Sequence, residues 1–335
     1  MEVPSSKSSK SDGARQKVVI FSAAFRPYCR SLISGFESAY PEIEVDFIDG
    51  ISTELHNRYL DLCLKGEPVP DIIWSSAMDL QMSLVMQGHA QPHKSRWTKR
   101  LPEWARFDDL AFATTLEPLC TLIHRDHLPA DSLAGSIQEI SELIETHSST
   151  LAGRVGVFDI EKNGLGFLAM LVARNQPDSF RRFLNALVAS APRLYASNPP
   201  MINSLVQGDI FLGINVLGAF AERAVQQHPE LIIANSRSPG LGVSRVAIMT
   251  SQAPHPIAAQ LFLDYLLSDK GQSMMALDAL YPIFAPDAKP GCEAVNLLPL
   301  PINQGFEILM AAANREDLTR DWKSVSDAQT NSSIP

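Results

Sequence analysis

The chain has 335 residues, 45% of them apolar and 19% charged, with 28 basic against 37 acidic side chains. That composition excludes a disordered chain, and the length is enough for two domains. A net charge of −9, with no basic cluster set against it, argues against nucleic acid as a partner.

From Lys17 strands and helices alternate. "KVVIFSA" is a short β-branched apolar run, and apolar Leu32, Ile33 and Phe36 predict a helix from about Pro27 to Tyr40. "IEVDFID" is a second strand, and "ISTELHNRYLDLCLKG" a second helix that stops at Gly66. "PDIIW" is a third strand, followed by a helix from Ala77 to Gln87 that stops at Gly88. This order with short links implies a parallel sheet covered on both faces. "DDLAFATTLEPLCTLIHRD" reads as a long strand broken at Glu117-Pro118, because proline cannot donate to a ladder.

Next come a helix in "IQEISELIETH", a strand in "GRVGVFD" and a turn in "IEKNGLG" that opens another helix. "PRLYASN" leads into the helix "PPMINSLVQGD", and "IFLGIN", ending at Asn215, into "VLGAFAERAVQQ". "LIIANSRSPGLGVSRVAIMT" reads as a return strand and "PIAAQLFLDYLLSDKGQSMMAL" as one long amphipathic helix. The end is helical through "INQGFEILMAAANREDLTRDW", with "AQTNSSIP" frayed and residues 1–16 a disordered tail. No linker separates two halves, so the chain is expected to cross between domains more than once. Cys29, Cys63, Cys120 and Cys292 show no CxxC and no metal spacing. They read as free buried thiols, or as at most two disulfides.

Open α/β sheets bind ligands beyond the C-terminal ends of their strands. The turns at those ends here are "SAAFR", "SSAMD", "TTLEP", "DIEKNGLG", "ASNPPM" and "NVLGAF", rich in Ser, Thr and Asn. They nominate Ser22, Ala23, Arg26, Ser75, Ser76, Thr115, Glu117, Asn163, Ser197, Asn198 and Asn215 as ligand-binding residues. Plainer roles stand beside this one. Ser22, Ser75 and Ser76 suit helix N-caps. Arg26, just inside a helix start, opposes the dipole unless an anion offsets it; otherwise it is a solvated surface arginine. Glu117 either accepts from a ligand or pairs with a bridging arginine. Asn163 precedes Gly164 in a turn dipeptide, and Pro199 or Pro200 suits a first helical position, which makes Ser197 or Asn198 a cap. No nucleophile–base pair, P-loop or HExxH is present, so no catalytic residue is expected. His89, His93, His124 and His127 read as surface histidines rather than ligands, and neither a metal nor a cofactor is expected.

Six segments carry a family resemblance in the right order. They are "VVIFSAAFRPYCRSLISGFESAYPEIEVDFIDG", "VPDIIWSSAMDLQMSLVMQGHAQP", "FATTLEPLCTLIHRD", "LVQGDIFLGINVLGAFAERA", "HPIAAQLFLDYLLSDKGQSMMA" and "YPIF". Together they resemble type II periplasmic substrate-binding proteins of ABC transporters, in the branch with ferric-ion and phosphosugar or organophosphate binders. The resemblance implies an α/β, two-lobed fold with two crossing hinge strands, "TTLEPLCTLIH" and "VSRVAIMT". Lobe 1 would comprise residues 17–116 and 249–289, lobe 2 residues 117–248, and residues 290–335 would form a C-terminal helical segment packing on the lobes. Ferric members of this branch place adjacent tyrosines where this chain has Asn215, Val216 and Leu217, which disfavours phenolate ligation of iron.

What the resemblance implies is a non-enzymatic binding protein that closes by a hinge on a small anionic solute, an organic phosphate or carboxylate. Its partner would be an ABC permease in the inner membrane, and the protein itself a monomer. The alternatives are a ligand-sensing accessory of a two-component histidine kinase, docking on the kinase's periplasmic domain, and a ferric-ion binder or cleft enzyme. The expected location is the periplasm. "MEVPSSKSSKSDGARQ" lacks the apolar core of a signal peptide, which leaves a cytoplasmic protein or a removed signal; the resemblance implies export, with the signal removed.

Overall fold

The computed structural model describes residues 16–284, 297–302, 306 and 312–332. The expected N-terminal tail and Cys292 lie outside them, except that Gln16 already opens the first strand.

The first lobe begins with β1 (Gln16–Ser22), α1 (Arg30–Ala39), β2 (Ile43–Asp49), α2 (Ser52–Lys65), β3 (Ile72–Ser75) and α3 (Met78–Met86). It continues through α4 (Arg96–Arg100), β4 (Arg106–Phe107) and β5 (Ala111–Ala113). β1 runs parallel to both β2 and β3, and its Val18 and Ile20 are fully buried, as a strand covered on both faces requires. α1 buries Leu32, Ile33 and Phe36, the stripe expected from spacing. α2 stops at Gly66, whose left-handed φ of 65° lets it and Glu67 donate back to Cys63 and Leu62.

The second lobe holds β6 (Glu117–His124), α5 (Ile137–Thr146), α6 (Ser148–Leu151), β7 (Val155–Phe158), α7 (Gly164–Ala173), α8 (Pro177–Ser190) and β8 (Arg193–Tyr195). α9 (Asn198–Val206), β9 (Leu212–Leu217), α10 (Gly218–Gln227), β10 (Leu231–Ile233) and β11 (Gly240–Val243) follow. The chain then returns to the first sheet with β12 (Val246–Met249), α11 (Pro256–Leu267) and α12 (Asp269–Leu277). β13 (Leu297–Pro299) rejoins the second sheet, and α13 (Ala312–Ser332) closes the chain. The sheet orders are β2-β1-β3-β12-β5-β4 and β13-β11-β6-β9-β7-β8, with β10 also pairing β6.

The break expected at Glu117-Pro118 falls earlier. The chain leaves the first sheet over Thr114–Leu116, and β6 starts with Glu117 and Pro118, where a strand tolerates proline. The return strand likewise divides into β10, β11 and β12, and the crossing back falls at Ser244 and Arg245, so residues 246–248 pair in the first sheet. Tyr281–Phe284 passes beside the first crossing, with Leu116 donating to the Tyr281 carbonyl at 2.8 Å.

Other boundaries moved for local reasons. The helix expected from Pro27 is a single 3-10 turn at Arg26–Tyr28, and α1 starts later because the Asp278 carboxylate caps it from afar, accepting from Ser31 and Leu32 N–H. The long helix after Pro256 splits at Ser268, whose hydroxyl accepts from Gly271 N–H at 3.1 Å and caps α12. The C-terminal backbone stays helical through Ser332, past where fraying was expected. Cys29 and Cys120 are buried and Cys63 partly so, none of them in a disulfide.

Candidate functional site

The polar corners nominated above gather in three places. Ser22, Ala23, Arg26, Ser75 and Ser76 stand at the C-terminal ends of β1 and β3, on the first lobe's rim. Asn163, Ser197, Asn198 and Asn215 stand at or near the C-terminal ends of β7, β8 and β9, on the second. Thr115 and Glu117 lie at the crossing between them.

On the first rim, the hydroxyls do not cap helices. Ser22 donates to the Trp74 carbonyl at 2.9 Å and accepts from Ala24 N–H at 3.0 Å, which tightens the turn and ties β1 to β3. Ser75 accepts from Ala77 N–H at 3.1 Å, and the residue at the cap position of α3 is Ala77 itself. Ser76 is buried, and only its carbonyl is used, by Met78. Ala23 donates its N–H to the Trp74 carbonyl. Arg26 is exposed in its 3-10 turn, four residues ahead of α1, so the expected opposition to that helix dipole does not arise.

The second rim is built by amides. Asn163 caps α7, accepting from Gly166 N–H at 2.7 Å, and donates to the Ala196 carbonyl at 2.8 Å, which joins two turns of the rim. Asn163→Ala is expected to cost about 1–2 kcal/mol of unfolding free energy in a urea titration, as a lost cap does. Asn198 accepts from Leu217 N–H at 3.1 Å and so ties the start of α9 to the start of α10. Ser197 holds the cap position of α9, but its side chain makes no capping bond.

Asn215 is not the end of its strand. β9 runs on to Leu217, and Ile214 and Asn215 together oppose one residue of β6, a bulge between the pairs Leu122–Gly213 and Cys120–Val216. Asn215 takes the left-handed φ of 61° there, a conformation asparagine tolerates better than most residues. It is half-buried with no hydrogen bond to its amide.

At the crossing, Glu117 and Arg245 are both buried, with 0% and 1% side-chain exposure. Nη2 donates to Oε2 at 3.3 Å, and Nε lies 2.7 Å from Oε1, close enough for charge attraction although its N–H points off that line. Thr115 donates to Glu117 at 3.0 Å and accepts from Arg245 N–H at 2.9 Å, while Thr114 accepts from the Trp74 indole and donates to the Arg245 carbonyl. Of the two roles open to Glu117, the arginine pair is the one formed.

The lobes meet across the gap. Thr53 donates to the Lys162 carbonyl at 2.7 Å, Ala77 packs against Gly164, and Arg315 of α13 pairs with Asp79 of α3 at 3.2 Å. Farther along, Tyr28 lies edge-on to Phe220 at 4.7 Å, and the Arg223 guanidinium covers the Tyr28 ring at 4.1 Å. Near β1 and β3 a hollow of about 10 Å³ remains, lined by residues including Ala23, His56 and Ser75, barely room for one water. The conformation is therefore shut. A hollow of about 430 Å³ lies elsewhere, between α7, α8 and α13. None of Thr53, Asp79, Tyr28, Gly164 and Arg315 was singled out from sequence. Asp79 reads there as a routine acid in a helix's first turn, and the others look like surface or packing residues.

A profile of the family described as bacterial extracellular solute-binding protein matches residues 18–276. The substrate binding protein of an ABC transporter from Agrobacterium tumefaciens superposes with a TM-score of 0.86 at 25% identity, covering 95% of this chain and 96% of that one. AfuA from Actinobacillus pleuropneumoniae, solved with fructose-6-phosphate bound, gives 0.73 at 16% identity over 92% and 98%. Iron-bound HitA from Pseudomonas aeruginosa gives 0.71 at 13% over 93% and 99%. Among curated proteins, none matches the sequence. No helix among the described residues is long and apolar enough to cross a membrane. With two α/β lobes, two crossing strands and polar rims facing one gap, the chain belongs to the bacterial extracellular solute-binding proteins, the type II periplasmic binding proteins that serve ABC transporters.

Proposed function

We propose that the protein captures a small anionic metabolite, an organic phosphate or carboxylate, between its lobes and delivers it to an ABC permease. The observation that carries this reading is the second rim, where α9 and α10 begin side by side, tied by Asn198. Neither has a side chain capping its first turn or an acidic residue in it, yet Asn198, Gly218, Ala219 and Phe220 are all buried. Each such start carries roughly half a positive charge, but Pro199 and Pro200 leave α9 without two of its N–H donors, so the donors that an anion completes come chiefly from the first turn of α10. The free amide of Asn215 stands beside them, Arg223 of α10 reaches across from the same lobe to the Tyr28 ring, and Arg26 brings positive charge on the opposite lobe. Ser76 and Ser197 line the path with hydroxyls that make no side-chain hydrogen bond within the protein. Closure then excludes water, so the bonds to the ligand are made in a medium of low dielectric and hold more strongly.

AfuA, solved with a phosphosugar, favours the anion; HitA, solved with iron, supplies the rival. A melting-temperature screen with fructose 6-phosphate, 3-phosphoglycerate, citrate and ferric chloride separates them, because a ligand of the native state adds RT ln(1 + [L]/Kd). A rise with a phosphate or carboxylate is expected. A rise with ferric iron alone overturns the anion reading, and no rise with any of them counts heavily against it. Asn215→Gly keeps the left-handed backbone without strain, so it is expected to melt like the wild type while losing most of the ligand-induced rise. An undiminished rise removes Asn215 from the site.

A further inference from the structure

Helix α13 is anchored to the second lobe. Its Leu318, Trp322 and Val325, at helical spacing, are buried in that lobe's core. Arg174 at the end of α7 pairs with Asp317 at 3.7 Å and Asp321 at 3.2 Å. One turn ahead of Leu318, Arg315 lies over the Phe167 ring of α7, 4.1 Å from its centroid, and reaches out of its own lobe. Its Nη2 stands 3.2 Å from Oδ2 of Asp79, on α3 of the first lobe. Asp79 is 1% exposed, and its other oxygen, Oδ1, is buried without a partner.

We propose that Arg315 and Asp79 form a latch across the gap, by which the C-terminal helix sets the balance between shut and open lobes and makes that balance depend on pH. The proposal goes beyond ligand capture. The unpaired Oδ1 shows what shutting requires: a carboxylate leaves water with only one of its two oxygens engaged. Arg315 is the charge that makes that burial tolerable while Asp79 is ionised, helped by the backbone N–H groups of Leu80 and Asp79 at the start of α3. Opening returns Asp79 to water and separates the pair.

The sign of the pH effect follows. Burial pushes the Asp79 pKa up from 3.8 to about 6 in the shut state, with the Arg315 charge working against the rise. A group bound more tightly to its proton in one state favours that state as pH falls, so protonation of Asp79 favours shutting. Removing Arg315 therefore hurts most where Asp79 is ionised and least where it is neutral. Of the other elements packed on α3, β3, β5, β12 and α7 bring no ionisable side chain. α2 brings His56, whose pKa is lowered by burial and by Arg315, so its protonation opposes shutting. An Asp79→Asn background leaves His56 in place and isolates the carboxylate.

The test is small-angle X-ray scattering of the unliganded full chain at pH 8 and pH 5, reading the shut fraction from the radius of gyration. Arg315→Gln is expected to lower the shut-to-open ratio about tenfold at pH 8, the effect of one unit in the Asp79 pKa, and to match the wild type at pH 5. Asp79→Asn is expected to be more shut than the wild type at pH 8, and Arg315→Gln to have no effect in that background. An unchanged ratio in Arg315→Gln at pH 8 overturns the latch. So does a loss that persists at pH 5 or beside Asp79→Asn, which would mean that Arg315 acts only by packing on Phe167. Should Arg315→Gln fail to melt cooperatively, Asp79→Asn alone decides: a ratio equal to or below the wild type's at pH 8 rejects the proposal. No ligand enters the experiment, so its failure leaves the anion reading untouched.

Discussion

Glu117→Ala is expected to lower the unfolding free energy by about 3–5 kcal/mol, because it strands the Arg245 guanidinium in a site with 1% exposure. The pair sits where both crossing strands pass. Thr115 bonds to both partners, and Pro118 packs against Gly218 at the start of α10. Replacing both partners, as Glu117→Leu with Arg245→Met, is expected to recover most of the loss, since the desolvation of two charges disappears together. Urea unfolding of the two proteins measures both numbers. A loss below about 1 kcal/mol for the single change would show that Arg245 has another acceptor, and a double variant no better than the single would show that packing, not charge, was lost.

Gly164→Leu is expected to lower affinity for the anion that raises the melting temperature at least tenfold, or about 1.4 kcal/mol, while leaving the fold intact. A Cβ at this position would stand 2.7 Å from Cβ of Ala77, then 3.4 Å from Asp79 Oδ1 and from Leu80 Cδ1. Those nearest atoms all belong to the start of α3 and its cap residue on the facing lobe, so a side chain here wedges the gap and disturbs little in its own lobe. Leucine also suits a helix better than glycine. Scattering should show a larger radius of gyration, and urea unfolding a change within about 0.5 kcal/mol. Unchanged affinity together with an unchanged radius would mean that the lobes need not touch at Gly164 to hold a ligand.

Much of the first lobe was legible because its signals are local. β2 falls on "IEVDFID", α2 stops at Gly66, and the buried stripe Leu32, Ile33 and Phe36 follows from helical period alone. Errors came where a distant group settles a local choice. α1 starts late because Asp278, more than two hundred residues away in the chain, caps it. Asn215 reads as a strand end, yet the bulge against β6 carries the strand two residues farther. Ser268 was missed for another reason: its capping pattern lies inside an apolar run long enough to read as one helix.

The amino-acid sequence by itself determined the order of strands and helices, the polar character of the turns at the strand ends, and through these the family. Those features depend on residues close together along the chain, where periodicity and turn chemistry act. Only the tertiary structure decided which polar groups remain free. Ser22, Ser75, Asn163 and Glu117 have their side chains bonded within the protein, whereas the Asn215 amide is not, and α9 and α10 begin without a capping side chain at their cap positions. It alone also brought Asp79 to Arg315 and Ala77 to Gly164. The reason is that a hydrogen bond or ion pair depends on distance in space. Ser75 and Asn163 find partners within their own turns, whereas Asp79 and Arg315, like Ala77 and Gly164, come together only when two separately folded lobes close on each other.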